Sequence, residues 1–270
     1  YIVGSATIGG SITLGSLDIG HGAGGHDTNT QLGTDALDAS AGGCEHNTAI
    51  GHDALTALSH ADGDENTAVG SSALAALTAG SGTGYSNTAV GAGSLATTVD
   101  GMKNTAVGED ALGDADCGDE NTAIGRNALQ VFTGSSTTAV GANALAVAVG
   151  QTLNTAVGFE SLNAATSGNL NTAVGAHSLG ATIDGANNTA VGYAAMNADA
   201  GDDNTAIGKS ALNLFTGSNA TAVGSGAADA LTDGARVTAI GYAAMGLAVS
   251  NTDCTAVGYA ALDAATSGDD

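Results

Sequence analysis

The sequence predicts an all-β fold, a single-chain parallel β-solenoid of the β-roll or β-helix kind with about 15 to 16 rungs. The first observation behind this is a four-residue motif, T-A-V-G or a close variant. Its glycine falls at 33, 51, 70, 91, 108, 125, 141, 158, 175, 192, 208, 224, 241 and 258, with steps of 16 to 21 residues and most often 17. That period is shorter than the roughly 20 to 50 residues of helical-hairpin, propeller and leucine-rich arrays, and suits one solenoid turn. The second observation is composition. With 43 glycines, no proline, no tryptophan and 3% aromatics, the core must be built from small and β-branched residues, which suit thin regular layers.

Residues 1–28 precede the array and form a segment of their own, with the solenoid over 29–270. The stretch YIVGSATIGGSITLGSLDIG carries no charge before Asp18 and spaces aliphatics between glycines, as an extended strand does. Left bare it is an aggregation hazard. It is expected either to cap its own solenoid or to contact a neighbouring subunit.

Within each repeat, Thr stands three residues before the glycine and Val, Ile or Leu one before it. Side chains alternate along a strand, so these two share a face and the residue between them, Ala in thirteen copies and Gln31 in the first, takes the other. Burial of the aliphatic column predicts the Thr/Val face inside and the Ala column outside, as an apolar stripe suited to lateral association. Four residues after the glycine comes Leu or Met in every copy except Ala228, preceded by Ala or Ser; this pair supplies a second inward side chain. A short helix is the competing reading there, because EDALGD and KSALNL carry good helix formers.

Asn opens the motif in ten copies (29, 47, 66, 87, 104, 121, 154, 171, 188 and 204), where its side chain can stack and hydrogen-bond along a column. A second glycine lies seven residues before the motif glycine, at Gly63, Gly84, Gly101 and onward to Gly234. This column predicts a turn with positive φ.

The formal net charge is −23, from 27 acidic and 4 basic residues. Without cationic surface, nucleic acid is excluded as a partner; an acidic surface suits a protein bathed in salt or divalent cations. Cys44, Cys117 and Cys254 are an odd, widely spaced set that gives no disulfide framework. No apolar run is long enough for a membrane span. The chain begins at Tyr1 rather than Met, which fits a mature exported product, extracellular or cell-surface.

No acid, base and nucleophile cluster breaks the repeat, so no enzyme and no cofactor are expected. Histidines 21, 26, 46, 52 and 60 crowd the first sixty residues with Cys44 and Glu45, but their spacing fits no zinc pattern. Acidic loops beside glycine turns are the better cation candidates, with Asp62, Asp64, Asp116, Asp119, Asp202 and Asp203 as possible Ca²⁺ ligands against the plainer reading of a solvated acidic rim. A threonine column on a flat solenoid is how some antifreeze surfaces are made; a Thr column sharing an inward face with Val does not favour it.

The strand ending A-V/I-G, followed by G-x-x-A/S, resembles the β-roll head repeats of trimeric autotransporter adhesins and similar repeats in phage tail-fibre proteins. The resemblance covers residues 29 to 270 and implies a rod, about 70 to 80 Å long at the usual strand spacing. The period here is longer than in those heads. The expected function is a structural subunit of an extracellular fibre or filament; the alternative is an adhesin or tail-fibre shaft that binds glycans or cell surfaces through outer loops. The partner is the protein itself, joined head to tail, with lateral bundling or trimerisation as a further contact. Setting Tyr1 after Asp270 of another copy gives a native 16-residue step from Gly258 to Gly4. The contact residues are therefore expected to be Tyr1, Ile2, Val3, Gly4, Ile8, Ile12 and Leu14 at one end and Ala256, Val257 and Leu262 at the other.

Overall fold

A computed structural model describes residues 12–14, 17–21, 28–39, 43–264 and 267–269. The chain divides into two compact units, residues 1–121 and 122–270. Each is a parallel β-solenoid segment, and the described residues contain no helix.

In the first unit the motif strands Thr30–Leu32, Thr48–Ile50, Thr67–Val69, Thr88–Val90 and Thr105–Val107 pair parallel, Thr on Thr and Ala on Ala. In the second, nine such strands run from Thr122–Ile124 to Thr255–Val257 in the same unbroken register. Together these are fourteen of the expected 15 to 16 rungs. Each three-residue strand is too short to be stable alone and depends on its neighbours for its hydrogen bonds. The start of the first unit differs. Ile12–Leu14 pairs antiparallel with Leu17–Gly20, which pairs antiparallel with Thr30–Leu32. This part of the N-terminal segment thus lies on its own solenoid's first rung.

The predicted inside and outside of the strand are reversed. The middle Ala of each strand is buried, while the flanking Thr and Val or Ile are half-buried or exposed. Gln31, which replaces Ala in the first copy, is also buried. The cause is the opposite wall. Both members of the following A-L pair, such as Ala128 and Leu129, are fully buried, so leucine fills the interior and leaves the strand room only for alanine. The β-branched residues face solvent, where they still favour the extended backbone.

The A-L wall is a ladder of its own, not the competing helix. After the motif glycine the backbone alternates in hand, with left-handed residues at the second and fourth positions, as at Glu160 (φ 52°) and Leu162 (φ 50°). Its N–H groups reach the adjacent rung, as from Leu145 to the Ser161 carbonyl (2.9 Å) and from Leu162 to the Ser178 carbonyl (3.0 Å), leaving no i to i−4 ladder.

The motif glycine itself has φ between 128 and 146° in every rung. Before the last rung, a Cβ there would collide with the next rung's backbone; at Gly175 it would lie 2.5 Å from the Gly192 carbonyl oxygen. The second glycine column departs from the expected positive φ, which among its members only Gly84 (72°) and Gly234 (129°) have. The left-handed position is two residues later, at His46, Glu65, Lys103, Asp203 and their equivalents. Crowding explains the glycines instead: a Cβ on Gly168 would run into the Gly185 carbonyl and the Asn171 side chain.

The asparagine column beside these glycines forms as expected. Where one Asn follows another, the first accepts the backbone N–H of the second and donates to the turn carbonyl of that rung: Asn171 accepts from Asn188 (2.9 Å) and donates to Gly185 (2.7 Å). The column thus ties strand wall to turn in successive rungs.

Candidate functional site

The solvent face of each ladder presents two parallel columns, Thr and Val or Ile, with no charged residue in any motif strand. On a chain of net charge −23 this is a neutral, regularly spaced strip. The ground for setting ice aside, an inward Thr/Val face, is removed. The outward alanine stripe proposed for lateral contact does not exist, and the Thr/Val strip takes its place as the exposed face.

The last motif strand, Thr255–Val257, has a partner on one side only among the described residues. In earlier rungs the Thr N–H donates forward, as from Thr238 to the Cys254 carbonyl (2.9 Å), and the carbonyl before the glycine accepts from the next rung, as Ile240 does from Gly258 (2.8 Å). Thr255 N–H and the Val257 carbonyl are the equivalent groups at this edge. Of the expected contact residues here, Val257 is 66% exposed and Leu262 is exposed, whereas Ala256 is buried in the interior column. At the other end Ile12 and Leu14 lie in the outermost described strand. Tyr1, Ile2, Val3, Gly4 and Ile8 lie outside the described residues.

The acidic loops are arranged as staples between rungs. Asp62 accepts from Gly82 N–H (2.7 Å), Asp64 from Glu45 (2.7 Å), Asp116 from Val99 (2.8 Å), Asp119 from Met102 (3.1 Å) and Asp202 from Ala186 (2.8 Å). Asp203 occupies the left-handed position before Asn204. A carboxylate one rung away from the amide it caps satisfies a loop N–H that has no ladder partner. Asp62, Asp64 and Glu65 also line a hollow of about 310 Å³ with Gly82 and Tyr85.

Among the described residues, no histidine forms a ligand cluster with Cys44, which is buried. His46 is exposed, His60 lies 3.7 Å from Asp62, and His26 falls outside the described residues. Stacking makes a different group. Asp35, His52 and Asp53 bring ligand atoms within 4.8 Å of one another, and His52 Nδ1 is 2.8 Å from Asp53. The signal available in the sequence was positional, since Asp35 and Asp53 both stand two residues after a motif glycine.

All three cysteines are buried, and none forms a disulfide. Burial pushes the Cys117 thiol up to about 11, against a lowering hydrogen bond from Thr98. A raised folded value means that the contribution to stability is full below the ordinary thiol range and is lost as pH rises toward 11. Cys117 is expected to resist a thiol reagent at pH 8 in the folded protein and to react once urea unfolds it, a difference that absorbance kinetics with an aromatic disulfide would measure.

The described residues contain no helix long and apolar enough to cross a membrane. Fold and exposed face together define a regular parallel β-solenoid. No known family, curated protein or solved structure matches the chain.

Proposed function

We propose that the protein is a structural subunit of an extracellular or cell-surface fibre, assembled end to end by β-pairing between solenoid copies. The observation that carries this reading is the strand edge at Thr255–Val257, whose outward N–H and C=O repeat those that join every earlier rung. Such an edge is a template for another strand. The incoming copy offers the outer edge of Ile12–Leu14, the outermost described strand at its other end. Side-to-side packing of fibres uses the neutral Thr/Val strip, which lets acidic chains approach without opposing carboxylates. The acidic surface and the likeness of the repeats to adhesin heads support an external location, and no step of this role requires catalysis.

Negative-stain microscopy with sedimentation velocity tests the proposal. Wild type is expected to form threads of uniform width. Thr255→Pro removes the edge donor and is expected to leave single subunits with an unchanged far-ultraviolet circular dichroism spectrum. Val174→Glu with Val191→Glu is expected to separate bundled threads without shortening them. Threads of normal length from Thr255→Pro, or subunits joined side by side with both ends free, overturn the end-to-end reading.

A further inference from the structure

In the second unit the outward Thr and Val or Ile columns run through nine strands, with Thr paired to Thr and aliphatic to aliphatic at every step. Differences in rung length fall in the loops, so the strip never slips. Its hydroxyls are unused. Loop threonines spend theirs on the neighbouring rung, as Thr216 does on the Thr232 carbonyl (2.7 Å) and Thr232 on the Val249 carbonyl (3.0 Å). No motif threonine of the second unit, from Thr122 to Thr255, has a side-chain hydrogen bond to another described residue, and all are half-buried or exposed.

The two columns make a grid. Rungs stand about 4.8 Å apart, and residues two apart on a strand about 6.7 Å. Water bonded tetrahedrally at an O···O distance of about 2.75 Å places second neighbours about 4.5 Å apart and repeats about every 7.3 Å along its stacking axis. The misfit of about 0.3 Å per rung reaches half a water repeat only after about seven rungs. A block of several rungs therefore stays in step with an ice lattice. The asparagine ladder from Asn154 to Asn204 underlies four of these strands, and such ladders hold many-stranded sheets flat. The grid is also uncharged. In the three rungs from Thr155 to Val191 even the bordering residues are neutral, with Leu153, Leu170 and Asn187 ahead of the opening Asn and Phe159, Ala176 and Tyr193 after the closing glycine. A charge would orient its water shell about itself and break a tetrahedral net.

We propose that this strip binds the surface of ice. Each Thr hydroxyl bonds a lattice water once per rung, as donor and as acceptor. The Thr, Val and Ile methyls border the intervening waters without competing for their hydrogen bonds. Liquid water makes the same contacts one rung at a time; only a crystal offers them at every rung together, so repetition selects the solid. An anionic membrane surface calls for cations, and this chain carries 4 basic residues against 27 acidic ones. A single subunit suffices, so the proposal does not rest on end-to-end assembly. Side-to-side packing covers the strip and competes with ice for it.

Partition into a slowly growing ice front, with the gap between the melting and freezing points of a seeded crystal, tests the proposal on the full chain and on Thr255→Pro, which the fibre reading expects to be single subunits. Thr255→Pro is expected to concentrate in the ice and to open a gap that widens with protein concentration. Thr172→Tyr with Thr189→Tyr raises two rings above the grid on residues that suit a strand, and Val174→Lys sets a charge in the other column. In the Thr255→Pro background each is expected to lower ice enrichment at least tenfold with an unchanged circular dichroism spectrum and melting temperature. Leu214→Lys, at a position exposed outside the motif strands, is expected to leave enrichment unchanged. The proposal is overturned if Thr255→Pro is excluded from ice as a globular control protein is, if the strip variants stay enriched, or if Leu214→Lys loses enrichment as they do. Threads from wild type without ice enrichment of Thr255→Pro overturn it and leave the fibre reading standing; enrichment without threads does the reverse.

Discussion

Gly175→Ala is expected to lower the melting temperature of the second unit by about 8 to 16 °C, on the basis of about 4 kcal/mol lost and roughly 2 to 4 °C per kcal/mol for a unit of this size. Two costs combine. Gly175 has φ +132°, a backbone region that side chains rarely adopt, worth on the order of 1 to 3 kcal/mol. The added Cβ would also lie 2.5 Å from the Gly192 carbonyl oxygen and 2.7 Å from its carbon. Neither atom belongs to a flexible side chain, so the rungs must separate, with an overpacking cost of about 1 to 3 kcal/mol. Gly150→Ala is the control. It is also left-handed, at φ +72°, but nothing lies within 4 Å of its Cβ, so only the conformational cost of about 1 to 2 kcal/mol applies. Because rungs report to their neighbours, hydrogen exchange in Gly175→Ala should rise first at the amides of Thr172 and Gly192. Equal melting of the two variants would show that the rungs are not packed backbone to backbone at the motif glycine.

The period, the strand and the asparagine column were legible because each depends on spacing or on a side chain acting locally. Thr stands over Thr and Asn over Asn once the glycines are aligned, and no knowledge of the interior is needed for that. The choice of inward face was not legible from hydrophobicity, which favours burying Val over Ala. What decides it is the width of the interior, set by a leucine column from a different part of the turn. A usable signal was nevertheless present. The middle position holds Ala in thirteen copies while the outer one exchanges Val, Ile and Leu, and a position limited to one small size is the sterically confined one. The left-handed leucines, such as Leu129 at φ 51°, had no such signal. Leucine favours helix by propensity, and only the rung-to-rung hydrogen bonds of that wall hold it otherwise.

Asn171→Ala is expected to cost about 2 to 6 kcal/mol, because two buried groups lose their partners at about 1 to 3 kcal/mol each. The Asn188 N–H loses the Asn171 oxygen at 2.9 Å, and the Gly185 carbonyl loses the Asn171 amide at 2.7 Å. The backbone N–H of residue 171 keeps its own acceptor on Asn154, so the damage runs toward the following rung. Asn171→Asp separates the two bonds. It preserves an acceptor for Asn188 but turns a second oxygen toward the Gly185 carbonyl, in a place where a charge is not solvated. That carboxyl should titrate above its ordinary range, so the variant should be more stable in acid, where it is protonated and can donate, and lose stability as pH rises through the raised folded value. The reverse substitution is available where the column lapses. Ala220 already receives the Asn204 oxygen on its N–H at 2.9 Å, and Ala220→Asn would extend the same acceptor to Val237 and the same donor to Gly234, for a gain of about 1 kcal/mol. Urea melts of Asn171→Ala, Asn171→Asp and Ala220→Asn, the second across pH 4 to 8, decide the matter. If Asn171→Ala cost no more than a surface substitution, or Asn171→Asp showed no recovery in acid, the asparagines would be fillers of the turn and not the ties between rungs.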